Sequence, residues 1–71
     1  MKGLTTGRIV HYVRSCGAHF PAMIVKIYDY KLGMIALIEF SDEQYPHTIL
    51  RTSVNFDENK NLNTWHWIEP A

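Results

Sequence analysis

Arg8-Ile9-Val10-His11-Tyr12-Val13 alternates Ile9, His11 and Val13 on one face with Arg8, Val10 and Tyr12 on the other. Its β-branched and aromatic residues suit a pleated surface, so residues 8–13 read as a strand. Working outward, residues 14–21 contain Ser15, Gly17 and Pro21, which interrupt both helical and strand periods and predict an eight-residue loop. Residues 22–28 form a second, nearly two-sided strand, and the chain turns through residues 29–33. Residues 34–40 are the most apolar segment and predict a central third strand. A loop over 41–46, tipped by Asp42 and Glu43, leads to a weakly alternating fourth strand over 47–54. The polar excursion 55–63 then separates the last strand, 64–68, which ends before Pro70 because a proline has no N–H for further pairing.

Five short strands without a helix predict an all-β domain that closes on itself, because a flat sheet would leave an apolar face wet. An SH3-like barrel is the first choice. An OB-like barrel is the alternative, disfavoured because it inserts a helix between its third and fourth strands, where this chain has only residues 41–46. At 71 residues the chain is one domain, 1–71, with room for a single small core. The expected core is Ile9, Val13, Ile24, Val25, Ile27, Leu37, Ile38, Phe40, Ile49, Leu50, Val54, Trp65 and Trp67. A core of that size stabilises a lone subunit only marginally, which favours a homo-oligomer.

The formal net charge is zero, which removes the cationic excess expected of a nucleic-acid or acidic-lipid binder. The charges are nonetheless segregated. Five cations against Asp29 give the chain through Lys31 a charge of +4, and two cations against six acids give the remainder −4. Either neighbouring strands pair these charges, or the basic half faces an anion or a second subunit. The lone Cys16 excludes an internal disulfide, and no leader-like run follows Met1, so a reducing cytoplasm is expected. No run approaches the ~18 apolar residues of a spanning helix, and no membrane role is expected.

Four histidines and Cys16 raise the question of a metal, since imidazole and thiolate bind zinc. Cys16-Gly17-Ala18-His19 is a single C-x-x-H pair with no second close pair, and the convergence of His11, His47 and His66 would have to be tertiary. No metal, cofactor or catalytic residue is therefore expected. Trp65 and Trp67 share one strand face and serve either as core plugs or as a stacking platform for a flat ligand. Arg8, Arg14 and Arg51, interleaved with His11, Tyr12 and Phe20, offer forked donors for a phosphate beside flat faces for a base.

The opening Gly7-Arg8-Ile9-Val10-His11-Tyr12-Val13 and the ending Thr64-Trp65-His66-Trp67-Ile68-Glu69-Pro70 resemble a group of very short bacteriophage and prophage proteins. That group begins with a G-x-I-V-H-Y-V-like strand and ends with T-W-H-W. The resemblance implies a small β-barrel of viral origin acting in the host cytoplasm. Small phage proteins without catalytic groups often work by stoichiometric binding. The expected function is a non-catalytic, oligomeric sponge that sequesters a nucleotide-like signal of bacterial anti-phage defence. Arg8, His11, Tyr12, Arg14, Trp65 and His66 are its expected ligand-binding residues. The alternative is a protein-interaction or virion-assembly module docking through an edge strand or through Asp42 and Glu43; a nucleic-acid-binding barrel is weaker on charge grounds.

Overall fold

The computed structural model describes residues 1–41 and 47–68. Five strands, β1 (Ile9–Val13), β2 (His19–Asp29), β3 (Met34–Phe40), β4 (Thr48–Phe56) and β5 (Thr64–His66), close into a barrel in sequential order. β5 completes the circle, pairing antiparallel with β1 and parallel with β4. This is the all-β small barrel that the strand pattern predicts.

The predicted eight-residue loop is a tight hairpin, and β2 starts at His19. The Arg14 N–H donates to Ala18 O, the Gly17 N–H donates to Arg14 O, and Gly17 takes φ +90°. A three-residue connection ending in a left-handed residue matches the twist of the strands it joins. Pro21 does not break β2, because it sits opposite His11 between hydrogen-bonded pairs of the β1 ladder. On the other side of β2 the described ladder to β3 begins only at Ala22↔Glu39, so the missing N–H removes no bond there.

Two strands change inward phase where an extra residue bulges out. In β2 the register slips at Val25, so Ile24 and Ile27 both face the interior while Val25 is exposed. In β4 it slips near Ser53, which takes φ +54°, so half-buried Ile49 and Arg51 precede a buried Val54. Bulges bend strands and raise their twist, which a five-stranded barrel needs in order to close.

The core is Val10, Tyr12, Ala22, Ile24, Ile35, Leu37, Val54 and Trp65, joined by Leu4 from outside the strands. Four expected core residues, Ile9, Val25, Phe40 and Leu50, lie exposed on the outside instead. The reason is phase: in β1 it is Val10 and Tyr12, not Ile9, that point inward; Phe40 has the parity opposite to Leu37 and Glu39; Leu50 opposes Ile38 on that outer face; and the β2 bulge leaves Val25 outside. Trp65 is 0% exposed, and its Nε1–H donates to Gly33 O at 2.6 Å.

Gly33 has φ +76°, and a Cβ there would meet Met1 Cε at 2.7 Å and Phe56 Cβ at 2.8 Å. Gly17, at φ +90°, has open space around its Cα. Replacing Gly17 by Ala should cost about 1–2 kcal/mol of backbone strain alone. Gly33→Ala should cost visibly more, because the clash adds to the strain; urea unfolding of both variants, with equal losses, would refute this packing.

Candidate functional site

β1 runs from one mouth of the barrel to the other, and it distributes the six expected ligand-binding residues rather than gathering them. Arg8 precedes the strand, and its guanidinium lies 4.8 Å from the Trp67 ring. Arg14 follows the strand six residues later, about 20 Å along an extended chain, at the opposite mouth. Tyr12 points into the core toward Arg14's end, and its hydroxyl donates to Asn63 Oδ1 at 3.3 Å. Burial raises the Tyr12 phenol above its ordinary value against the lowering influence of Arg51, so it is a neutral donor at ordinary pH. Trp65 presents no surface: its indole is enclosed by Phe56 at 4.9 Å and Trp67 at 5.0 Å, both edge to face. Of the two alternatives for Trp65, the fold realises the core plug.

At the Arg14 mouth, Glu39 of β3 is fully buried between two guanidinium groups. Arg14 Nε donates to Glu39 Oε2, and Arg14 Nη2 donates to Ser41 Oγ at 2.8 Å. Arg51 approaches Oε1 at 3.1 Å through Nη2 and 3.2 Å through Nε. Each arginine also covers a ring, Arg14 over Phe20 at 4.1 Å and Arg51 over Tyr12 at 5.2 Å. Glu39 faces inward because Ile35, Leu37 and Glu39 share the inner parity of β3. Arg14 and Glu39 come from the oppositely charged halves of the chain, so one predicted charge pairing across strands is realised.

His11, half-buried, and His66, buried, converge on the side of the wall away from the core. They are directly opposite in the β1–β5 ladder, with ring centroids 5.5 Å apart. A third ring joins them that the sequence did not single out for this site: His19, at the start of β2, lies 5.0 Å from His66 and 6.4 Å from His11. His47, the residue expected to join the other two, is not in this cluster. What concealed His19 was the loop assignment, since a residue in an eight-residue loop has no register; once β2 begins there, His19 opposes Val13 and shares a face with His11. Asp42 and Glu43, the expected docking tip, lie outside the described residues.

No protein-family model, curated protein or solved structure is similar enough to this chain to count as a match. What the surface does must therefore follow from its geometry.

The Glu39 cluster is a structural clamp whose members depend on one another. Glu39→Gln leaves two guanidinium groups around a neutral amide and should cost about 3–5 kcal/mol. Arg14→Met should cost more than Arg51→Met, because Arg14 is 13% exposed and Arg51 35%. Chemical denaturation at neutral pH checks both, and a Glu39→Gln loss under about 1 kcal/mol would contradict the clamp.

Proposed function

We propose that this protein is a non-catalytic binding module that works from the outside of its barrel as a homo-oligomer. The observation that carries the reading is a row of apolar side chains across four strands. Ile9 opposes Met23, Met23 opposes Ile38, and Ile38 opposes Leu50, all on the outer face. Val25 and Phe40 widen the row, and Ile9, Val25, Phe40 and Leu50 are exposed. Contiguous exposed apolar surface of this kind marks a contact site. The interior is filled by Trp65, Ile24, Ile35, Leu37 and Val10, so binding by this chain uses its surface or a junction between copies.

A second copy is the occupant that suits this face, because a two-fold contact lays one apolar row on its equivalent, as an isologous dimer does.

A second reading, sequestration of a phosphate-bearing nucleotide-type signal by a phage-derived oligomer, draws support from the Arg14 mouth. Two guanidinium groups and the rings of Phe20 and Tyr12 are gathered there around one carboxylate. That composition suits an anion carrying a flat base. Arg14, with Arg51 and Phe20, is what this reading retains; Tyr12 is buried in the core and Arg8 belongs to the other mouth.

Sedimentation equilibrium at tens of micromolar should give a mass above the monomer. Leu50→Lys should reduce it to the monomer with the circular dichroism of the folded barrel unchanged, since Leu50 is exposed. A monomeric wild type would overturn self-association. Calorimetry against cyclic and ADP-ribose-type nucleotides tests the second reading, which predicts saturable heat that Arg51→Met abolishes.

A further inference from the structure

We propose that His11, His19 and His66 form a transition-metal site, with zinc as its metal and a fourth coordination position open to solvent. The ligand atoms of all three lie within 4.8 Å of one another. Zinc bonded to imidazole nitrogen at about 2.0–2.1 Å in tetrahedral geometry sets its nitrogens about 3.4 Å apart. The remaining distance is within reach of side-chain rotation, without any shift of the backbone.

Three features of the fold favour this use of the cluster. The first is parity. Val10, Tyr12 and Trp65 point into the core, so His11 and His66 lie on the opposite side of the wall, His11 half-buried and His66 buried, and exposed His19 shares their face through the β1–β2 register. Three adjacent strands thus deliver three imidazoles to one spot at the spacing of cross-strand neighbours. The second is ring orientation. The pairs stand at interplanar angles of 87°, 71° and 62°, edge to face rather than stacked, and the edge is where imidazole carries its lone pair. The third is support. His66 adjoins Trp65, which is anchored on Gly33 O, and the Asn63 N–H donates to Val13 O beside it, so two ligands stand on strands held in register. His19 follows the tight Gly17 hairpin and supplies the exposed side from which a metal enters.

Three neutral imidazoles suit zinc, copper or nickel rather than magnesium or calcium, which prefer oxygen. A three-histidine zinc site retains its double positive charge, so the open position takes water, hydroxide or an anionic ligand. This inference stands apart from self-association, because all three ligands come from one chain.

The test is calorimetric titration of zinc into the full chain, without an affinity tag and stripped by a chelator, followed by cobalt(II) substitution. One zinc per chain is expected at neutral pH, with release on acidification because protons compete for the ring nitrogens. Cobalt should give the intense visible bands of tetrahedral coordination. His19→Ala should weaken binding at least about tenfold while leaving circular dichroism unchanged, since His19 is exposed. His47→Ala and Leu50→Lys should bind as wild type. Absence of saturable zinc binding, wild-type affinity in His19→Ala, or an equal loss in His47→Ala would overturn the site.

Discussion

The barrel depends on how its shortest strand is held. β5 has three residues and bridges β1 and β4, so it contributes few ladder bonds to the seam it closes. Trp65 supplies what the ladder does not. Its ring fills the interior against Phe56 and Trp67, and its N–H is satisfied by Gly33 O from the turn on the far side. An indole buried without that acceptor would carry the full cost of an unmade hydrogen bond. The turn can present its carbonyl there because Gly33 adopts a left-handed backbone and leaves no Cβ between Met1 and Phe56.

A second constraint operates at the opposite mouth. A carboxylate with no exposure must be paired from more than one direction, and Glu39 is paired by Arg14 from the β1–β2 hairpin and Arg51 from β4. The clamp thereby links the β1–β2 hairpin, β3 and β4 through side chains, beside the backbone ladders that set their register. It also changes how arginines in a short neutral protein are understood. Arg14, chosen from the sequence as a ligand donor at a strand end, is first of all the partner of a buried acid, and its exposure to a ligand is secondary to that task.

The outside of the wall is unusual in the opposite sense. Outer positions of a small barrel are ordinarily polar, yet Ile9, Met23, Ile38 and Leu50 form an unbroken row, and three histidines lie beside it. His11 is two residues from Ile9 on the same face of β1, so the row and the cluster are continuous.

Much of the architecture was legible locally. The span 34–40 coincides with β3, the first strand is placed within one residue, and the number of strands follows from turn residues and alternation, because period-two patterning is a property of neighbouring residues. What local pattern could not supply was phase and convergence. A bulge at Val25 or Ser53 exchanges inside and outside for the residues that follow it up to the next irregularity, and nothing in the identity of either residue announces it. Pro21 reads as a breaker until its register shows that its missing N–H falls where no bond is needed. His11, His19 and His66 are scattered along the sequence and become one cluster only when β5 returns to pair with β1, because closure of the barrel, not chain spacing, sets which side chains are neighbours.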